Sequence, residues 1–283
     1  MQYFVNVTLT GLTEGMVYSA FALALVLIWR STRIVNFAQG SMAAATTFIA
    51  LALIQAGQSY WVALVVALLS GLVLGAIVER VVIRPVEGGP ELNAVIVTLG
   101  LFVAIQAAIA IVFGSAFQSF PTPFGLEGFQ VGDNRIALTP NSVWVIAAVL
   151  VTMALLVVLF RFTRIGLAMR ASAFGQEVAR LLGVRVGRML TLGWALAAVV
   201  GSLAGLLIAG GEFVYPAYMD SLIVFGFVAA VLGGLILGLA LSYVSGYVER
   251  GSALVNVAAL VILMVVLLVR PGGLFASSTA RRA

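Results

Sequence analysis

Lysine, histidine and cysteine do not occur among the 283 residues, so all fifteen basic side chains are arginine. The absence of histidine and cysteine excludes Cys/His zinc sites, catalytic histidines, thiol nucleophiles and disulfides. The absence of lysine excludes the phosphate-cradling G-x-x-x-x-G-K-[ST] loop, so any ATP hydrolysis must come from another subunit. Charge is scarce as well: 9% of residues are charged, against about a quarter in soluble domains. The start of the chain has no basic n-region and no small-residue cleavage site, and is expected to be a mature N-terminus.

What fills the chain is apolar. Hydrophobic residues make up 63% of it, in runs suited to the ~30 Å hydrocarbon core of a bilayer. No polar stretch is long enough to form a soluble core. The expected fold is therefore all-α: a polytopic membrane bundle forming one domain over residues 1–283. Spans are expected at about 10–29, 34–56, 61–83, 92–113, 141–160, 189–209 and 253–270. With the block 221–247 as one crossing, eight spans are expected; the alternative is nine, the block crossing twice if it breaks at Gly233-Gly234. The net charge of +5 comes from arginines clustered between spans, which is not a nucleic-acid pattern.

Arginine bias sets the orientation. The loops carrying Arg30/Arg33, Arg80/Arg84 and the run 164–189 are expected inside. The N-terminus, the loop 114–140 and the acidic turn with Glu212 and Asp220 are expected outside. An even number of spans then conflicts with the arginines at 270, 281 and 282, which favour the inside. Glycines four apart (Gly71/Gly75, Gly201/Gly205, Gly234/Gly238) suit close helix approach. The tripeptide V-E-R recurs at 78–80 and 248–250, expected on the same side, a weak hint of an internal repeat.

Polar residues within spans are costly and mark candidate sites. Glu14 lies in the first span, at a rim or structural position. Asn36 and Gln39 either cap and bond between helices or line a path; Asn93 is placed to cap the fourth span. Thr98 and Gln106, eight apart, are placed to share an inward face, and Asn36, Gln39, Thr98 and Gln106 together are the candidate translocation path. The outer loop 114–140 carries Phe117, Phe120, Phe124 and Phe129 among prolines, and either receives a partner or settles in the membrane interface.

The most concentrated charge is RIGLAMRASAFGQEVARLLGVRVGRM, residues 164–189, with five arginines and one glutamate. In this reading "GLAMRAS" extends the fifth span, and a short amphipathic helix of two to three turns follows. Phe174, Val178, Leu181 and Leu182 give it one apolar stripe, Glu177 and Arg180 suit the helix dipole, and Gly183 stops it. So short a helix needs support, from lipid headgroups or from a groove on a cytoplasmic partner.

The segment GLAMRASAFGQEVARLLGVRVGRMLTLGWALAAVVGSLAG resembles the cytoplasmic coupling segment of ATP-binding-cassette importer permeases, most closely the branched-chain amino acid permeases of the Liv type. "GLTEGMVYSAFALALVLIWRSTRIVNFAQGSM", "VERVVIRPVEGGPELNAVIVTLGL", "FVAAVLGG" and "LVRPGGLF" extend the likeness over nearly the whole chain, in order. One departure follows 229–234: where the family has a glycine-rich connection, this chain runs directly into "LILGLALSYVSGY". The resemblance implies an importer permease fold in a bacterial inner membrane, with a coupling segment at about 161–188. Phe174, Glu177, Val178, Ala179, Arg180, Leu181, Leu182 and Gly183 would meet the ATPase. It further implies cytoplasmic ATPase subunits that hold ATP and Mg, with no cofactor in this chain. A second permease subunit and an extracytoplasmic solute-binding protein would complete the assembly. The expected cargo is branched-chain or other hydrophobic amino acids; the alternatives are urea, short amides or aromatic acids. From a different class, an ion-coupled carrier or channel, or a non-transporting scaffold, remains open.

Overall fold

The computed structural model describes residues 2–131, 134–248 and 251–269. Eleven α-helices occur among them: α1 (Gln2–Thr32), α2 (Gln39–Gln55), α3 (Tyr60–Ile77), α4 (Glu91–Phe113), α5 (Pro140–Phe162), α6 (Arg164–Phe174), α7 (Gln176–Leu181), α8 (Val186–Ala209), α9 (Asp220–Leu232), α10 (Gly234–Tyr247) and α11 (Gly251–Val269). A π-helical turn, Val78–Ile83, and a 3-10 turn, Arg84–Val86, carry α3 onward. Four two-residue strands lie in the connections: β1 (Gln118–Ser119), β2 (Gln130–Val131), β3 (Asn134–Arg135) and β4 (Phe213–Val214). β1 pairs antiparallel with β4, and β2 with β3. Five helices are long and apolar enough to cross a membrane: α1, α3 with its two turns, α4, α5 and α8. The apolar lengths of α2, α9, α10 and α11 are shorter.

Most spans fall where hydropathy places them, and the differences have local causes. α1 begins at Gln2 rather than near residue 10, held by Gln2 Nε2 donating to the Arg135 carbonyl and by Asn6 Oδ1 accepting from Ala137 N–H (2.9 Å). The turn before α2 runs to Ala38, with Arg33 in the left-handed region at φ 59°. The stretch GLAMRAS does not extend the fifth span: Thr163 is extended, and its Oγ1 accepts from Gly166 N–H (3.0 Å) to cap α6 as a separate helix. Asn93 does not cap α4, whose N-cap is Pro90 with no side-chain bond.

α1 and α8 form the centre. α8 takes α3 on one side and runs beside α1 and α2 on others, while α10 lies along α1. Helix association in lipid rests on close backbone approach, and each glycine pair read from the sequence sits at such a contact. A methyl group at Gly75 would lie 2.6 Å from the Trp194 carbonyl oxygen, and one at Gly238 would strike the backbone of Gly15.

The block 221–247 breaks at Gly233, whose φ of 92° suits only glycine without strain. Beyond β4 the chain descends into the bundle. Tyr218 reaches Thr47 in α2, Gly226 packs on Phe21 and Leu25, and Gly234 meets Ser19 midway along α1. α10 then climbs back along α1, Ser242 donating to the Val7 carbonyl (2.7 Å) and Tyr3 to Gly246. Thirteen and fourteen residues are about 20 Å each, so neither helix crosses ~30 Å alone. Counted as helices, nine apolar segments occur among the described residues; counted as passages, α9 and α10 make one excursion in and back. α11 therefore starts at the outer face, and the parity conflict dissolves. Arg270, Arg281 and Arg282 lie outside the described residues, as do Glu249 and Arg250. Val248 sits at the outer end of α10 and Val78 at the inner end of α3, so the V-E-R echo does not mark equivalent positions.

Candidate functional site

The charged run folds into three pieces. α6 ends at Phe174, Gly175 is extended, and α7 is six residues long, about one and a half turns. Phe174 is therefore not on the helix of Val178 and Leu181, as the expected single stripe required. The small residue turns inward instead: Ala179 is buried against Val186 and Leu190 of α8, with Ala171 and Val184 beside it. The large apolar side chains turn out, Phe174 being 98% exposed, Leu181 87% and Leu182 76%. Gly183 ends α7 at φ 81°, its N–H bonding Arg180 O while Val184 N–H bonds Ala179 O. Glu177 in the first turn and Arg180 in the last suit the helix dipole. Glu177, Arg180, Gln176, Glu87, Arg84 and Thr32 border a polar hollow of about 750 Å³ at the inner face.

A network that the sequence did not disclose ties this surface to the spans. Glu79, 1% exposed, lies in the π-helical turn. Arg84 donates to it through Nε (3.1 Å to Oε1) and Nη2 (3.0 Å to Oε2). Arg84 Nη2 also reaches Gly187 O at 2.9 Å, and Thr191 donates its hydroxyl to Glu79 Oε2 at 2.7 Å. Both partners belong to α8. Gln176 of α7 in turn donates to Glu87 at 3.4 Å. The available signal was the five-residue spacing of Glu79 and Arg84, off the register of an α-helix pair but matched to i→i+5 geometry.

The four candidate path residues all face inward, and they form two groups. Asn36 and Gln39 are buried and satisfy one another: Asn36 Nδ2 donates to Gln39 Oε1 (3.0 Å), Gln39 Nε2 to Ala197 O (3.0 Å), and Asn36 Oδ1 accepts from Ala38 N–H (3.0 Å). Beside them Ile28, Met42, Val78, Ile83 and Trp194 form an apolar plug in the inner third of the bundle. Thr98 is buried at the same level, donating to Val95 O (3.0 Å). Gln106 lies further out and donates to Asp220 Oδ1 at 2.7 Å. Asp220, expected in an outer turn, thus begins a helix within the bundle. Nearby, Tyr218 donates to Thr47 Oγ1 (2.8 Å), and the half-buried Glu14 faces Tyr18 and the exposed Glu212.

On the outer face the phenylalanines divide. Phe117 is exposed and packs tilted against Tyr215 (ring centroids 4.7 Å apart), and Phe129 is exposed. Phe120 is buried against the core, and Phe124 packs on Trp61 and Trp144 (6.1 and 6.2 Å). Only part of the aromatic set is free to meet another molecule.

The profile of the family described as branched-chain amino acid transport system, permease component, matches residues 7–270. The chain is 26% identical to the high-affinity branched-chain amino acid transport system permease protein LivH of Escherichia coli K12 over 96% of its own length and 95% of the relative's. It is 24% identical to the corresponding permease protein BraD of Pseudomonas aeruginosa, with the same coverage. A probable LivH of Methanocaldococcus jannaschii is 26% identical over 89% of this chain and 86% of that one. In fold, it is similar to the solved structure described as PsaBC from Streptococcus pneumoniae in complex with Fab, with a TM-score of 0.50 at 15% identity over 96% of this chain and 93% of that chain.

Proposed function

This chain belongs to the permease-component family of branched-chain amino acid transport systems, and from that premise we propose that it is the membrane subunit of an ATP-binding-cassette importer in a bacterial cytoplasmic membrane. Its cargo is branched-chain or other hydrophobic amino acids delivered by a solute-binding protein. ATP and Mg reside on separate cytoplasmic ATPase subunits, and a second permease, alike or different, completes the pathway.

The observation that carries this reading is the inverted amphipathicity of the insert. A free cytoplasmic loop lowers its energy by burying its large apolar groups. In α7 the buried residue is Ala179, while Leu181, Leu182 and the preceding Phe174 are left uncovered. That suits a helix-in-groove contact, in which a partner supplies the missing cover. The hinge chemistry lies directly behind it. Displacement of α7 reaches Glu87 through Gln176, and the adjacent Arg84 carries it to Glu79 in the π-helical turn that continues α3 and to Thr191 in α8. Those helices hold the apolar plug around Trp194. ATP-driven closure of the ATPase dimer opens or seals the inner third of the bundle by this route, provided that nucleotide favours one of the two states.

The test is the double charge reversal Glu177→Arg/Arg180→Glu in the assembled complex. Uptake and substrate-stimulated ATP hydrolysis are expected to separate, hydrolysis persisting while uptake falls at least tenfold. Unchanged uptake together with unchanged stimulation would count against the assignment.

A further inference from the structure

α1 and α5 share the outer core, where Val145 and Val149 are buried with Val17 and Phe21. Toward the inner face they diverge, and the space between them is a groove of about 580 Å³ capped by α6. Its walls are two helical stripes, Leu23, Val26 and Leu27 on α1 and Met153, Leu156 and Val157 on α5. Every charged residue lining it is an arginine: Arg30, Arg33 and Arg170. No carboxylate lines the groove, and none of the three forms an ion pair among the described residues.

Three dimensions of this groove agree on one occupant. The lining of α1, from Leu23 to Ser31, rises about 12 Å, within the roughly 15 Å of one hydrocarbon leaflet. The apolar walls therefore lie within the depth of a single leaflet. The arginines stand at its inner end, where headgroup phosphates lie. Guanidinium groups match phosphate oxygens bidentately, and basic pockets between spanning helices on the cytoplasmic side suit anionic headgroups.

We propose that the groove between α1 and α5, with Arg30, Arg33 and Arg170 at its mouth, binds one anionic phospholipid of the inner leaflet. The acyl chains fill the apolar walls and the phosphate bridges the arginines. Because Met169, Ala173 and Phe174 of α6 also border the groove, the lipid fastens the insert to the spans, and lipid composition tunes how firmly α7 is held. The inference rests on the chain's place in the membrane and is independent of which solute it carries.

The test uses the purified full chain in neutral detergent micelles, with phosphatidylglycerol or phosphatidylcholine added at equal mole fraction. Phosphatidylglycerol is expected to raise the melting midpoint by several degrees more than phosphatidylcholine and to survive as a one-to-one adduct in native mass spectrometry. With about fivefold in affinity per arginine, Arg30→Gln/Arg33→Gln/Arg170→Gln weakens the adduct about a hundredfold. Val157→Trp, which fills the apolar wall and leaves the arginines, is expected to abolish it as well. If the triple variant does not fold, the exposed single change Arg170→Gln reads the fivefold step. Equal responses to the two lipids, an adduct that persists in the Arg variants, or inorganic phosphate alone reproducing the shift would each overturn the proposal.

Discussion

Glu79 and Arg84 face each other across a π-helical turn, with Nη2 of the arginine 2.9 Å from Oε1 of the glutamate. The glutamate is almost wholly buried, and the arginine side chain is 36% exposed. Removing one charge strands the other. Glu79→Gln is therefore expected to lower stability by roughly 2 kcal/mol, less than for a fully buried pair because the arginine keeps some water. Arg84→Lys should do nearly the same, since an ammonium cannot reach Glu79 and Gly187 in one fork. Glu79→Leu/Arg84→Leu should melt higher than either single variant. Thermal unfolding of the detergent-solubilised chain measures all three.

Phe174→Ser and Leu181→Ser remove side chains that the chain itself leaves exposed. Their melting midpoints should stay near the parent's, within about 0.5 kcal/mol of stability. Co-purification with the ATPase subunit should drop, by about thirtyfold in affinity where the side chain is an anchor of that contact. A pull-down at graded ATPase concentration reads the difference. Loss of folding in these variants would show that the side chains are core residues.

Gly183→Val tests the end of α7. No heavy atom lies near enough to clash with an added side chain, so its φ of 81° is the whole effect. A β-branched residue in that region is expected to cost about 1–3 kcal/mol. The strain is local, so hydrogen exchange should quicken over residues 176–185 while α8 keeps its protection.

Gly238→Leu is expected to be the most damaging small change in the membrane part. Its first added carbon meets the backbone of Gly15, which no rotamer avoids. The seam between α1 and α10 must open, at a cost above about 3 kcal/mol. Gly211→Ala, with open space around it and no unusual dihedral, is the matched control and should melt as the parent does.

Hydropathy located the long spans because the interiors of α1, α3, α4, α5 and α8 are apolar over the thickness of a bilayer, and the glycine spacings located the seams. What it missed depended on contacts across the chain. α1 reaches back to Gln2 because Asn6 and the Ala137 amide satisfy each other, a pairing 131 residues apart. The insert was found from charge, but its inner and outer faces could not be read: a stripe of Phe174, Val178 and Leu181 marks apolarity, not which side meets α8. Gly175 separates Phe174 from the rest, and a glycine in a short run is also compatible with a continuous helix. Of the candidate path residues, Asn36 bonds Gln39 and Gln39 bonds the Ala197 carbonyl of α8, which favours bonding between helices over an open lining. Gln106 was recognised as inward, yet its partner Asp220 could not be, because the descent of the chain after β4 has no hydropathy signature.

The turn at Gly233 also frees this chain from a constraint on length. A hairpin whose two ends emerge at one surface contributes nothing to the handedness of what comes after it. Its tip can gain or lose residues while α11 keeps its heading. Evolution can therefore resize the interior of the molecule at this one point without turning its tail inside out.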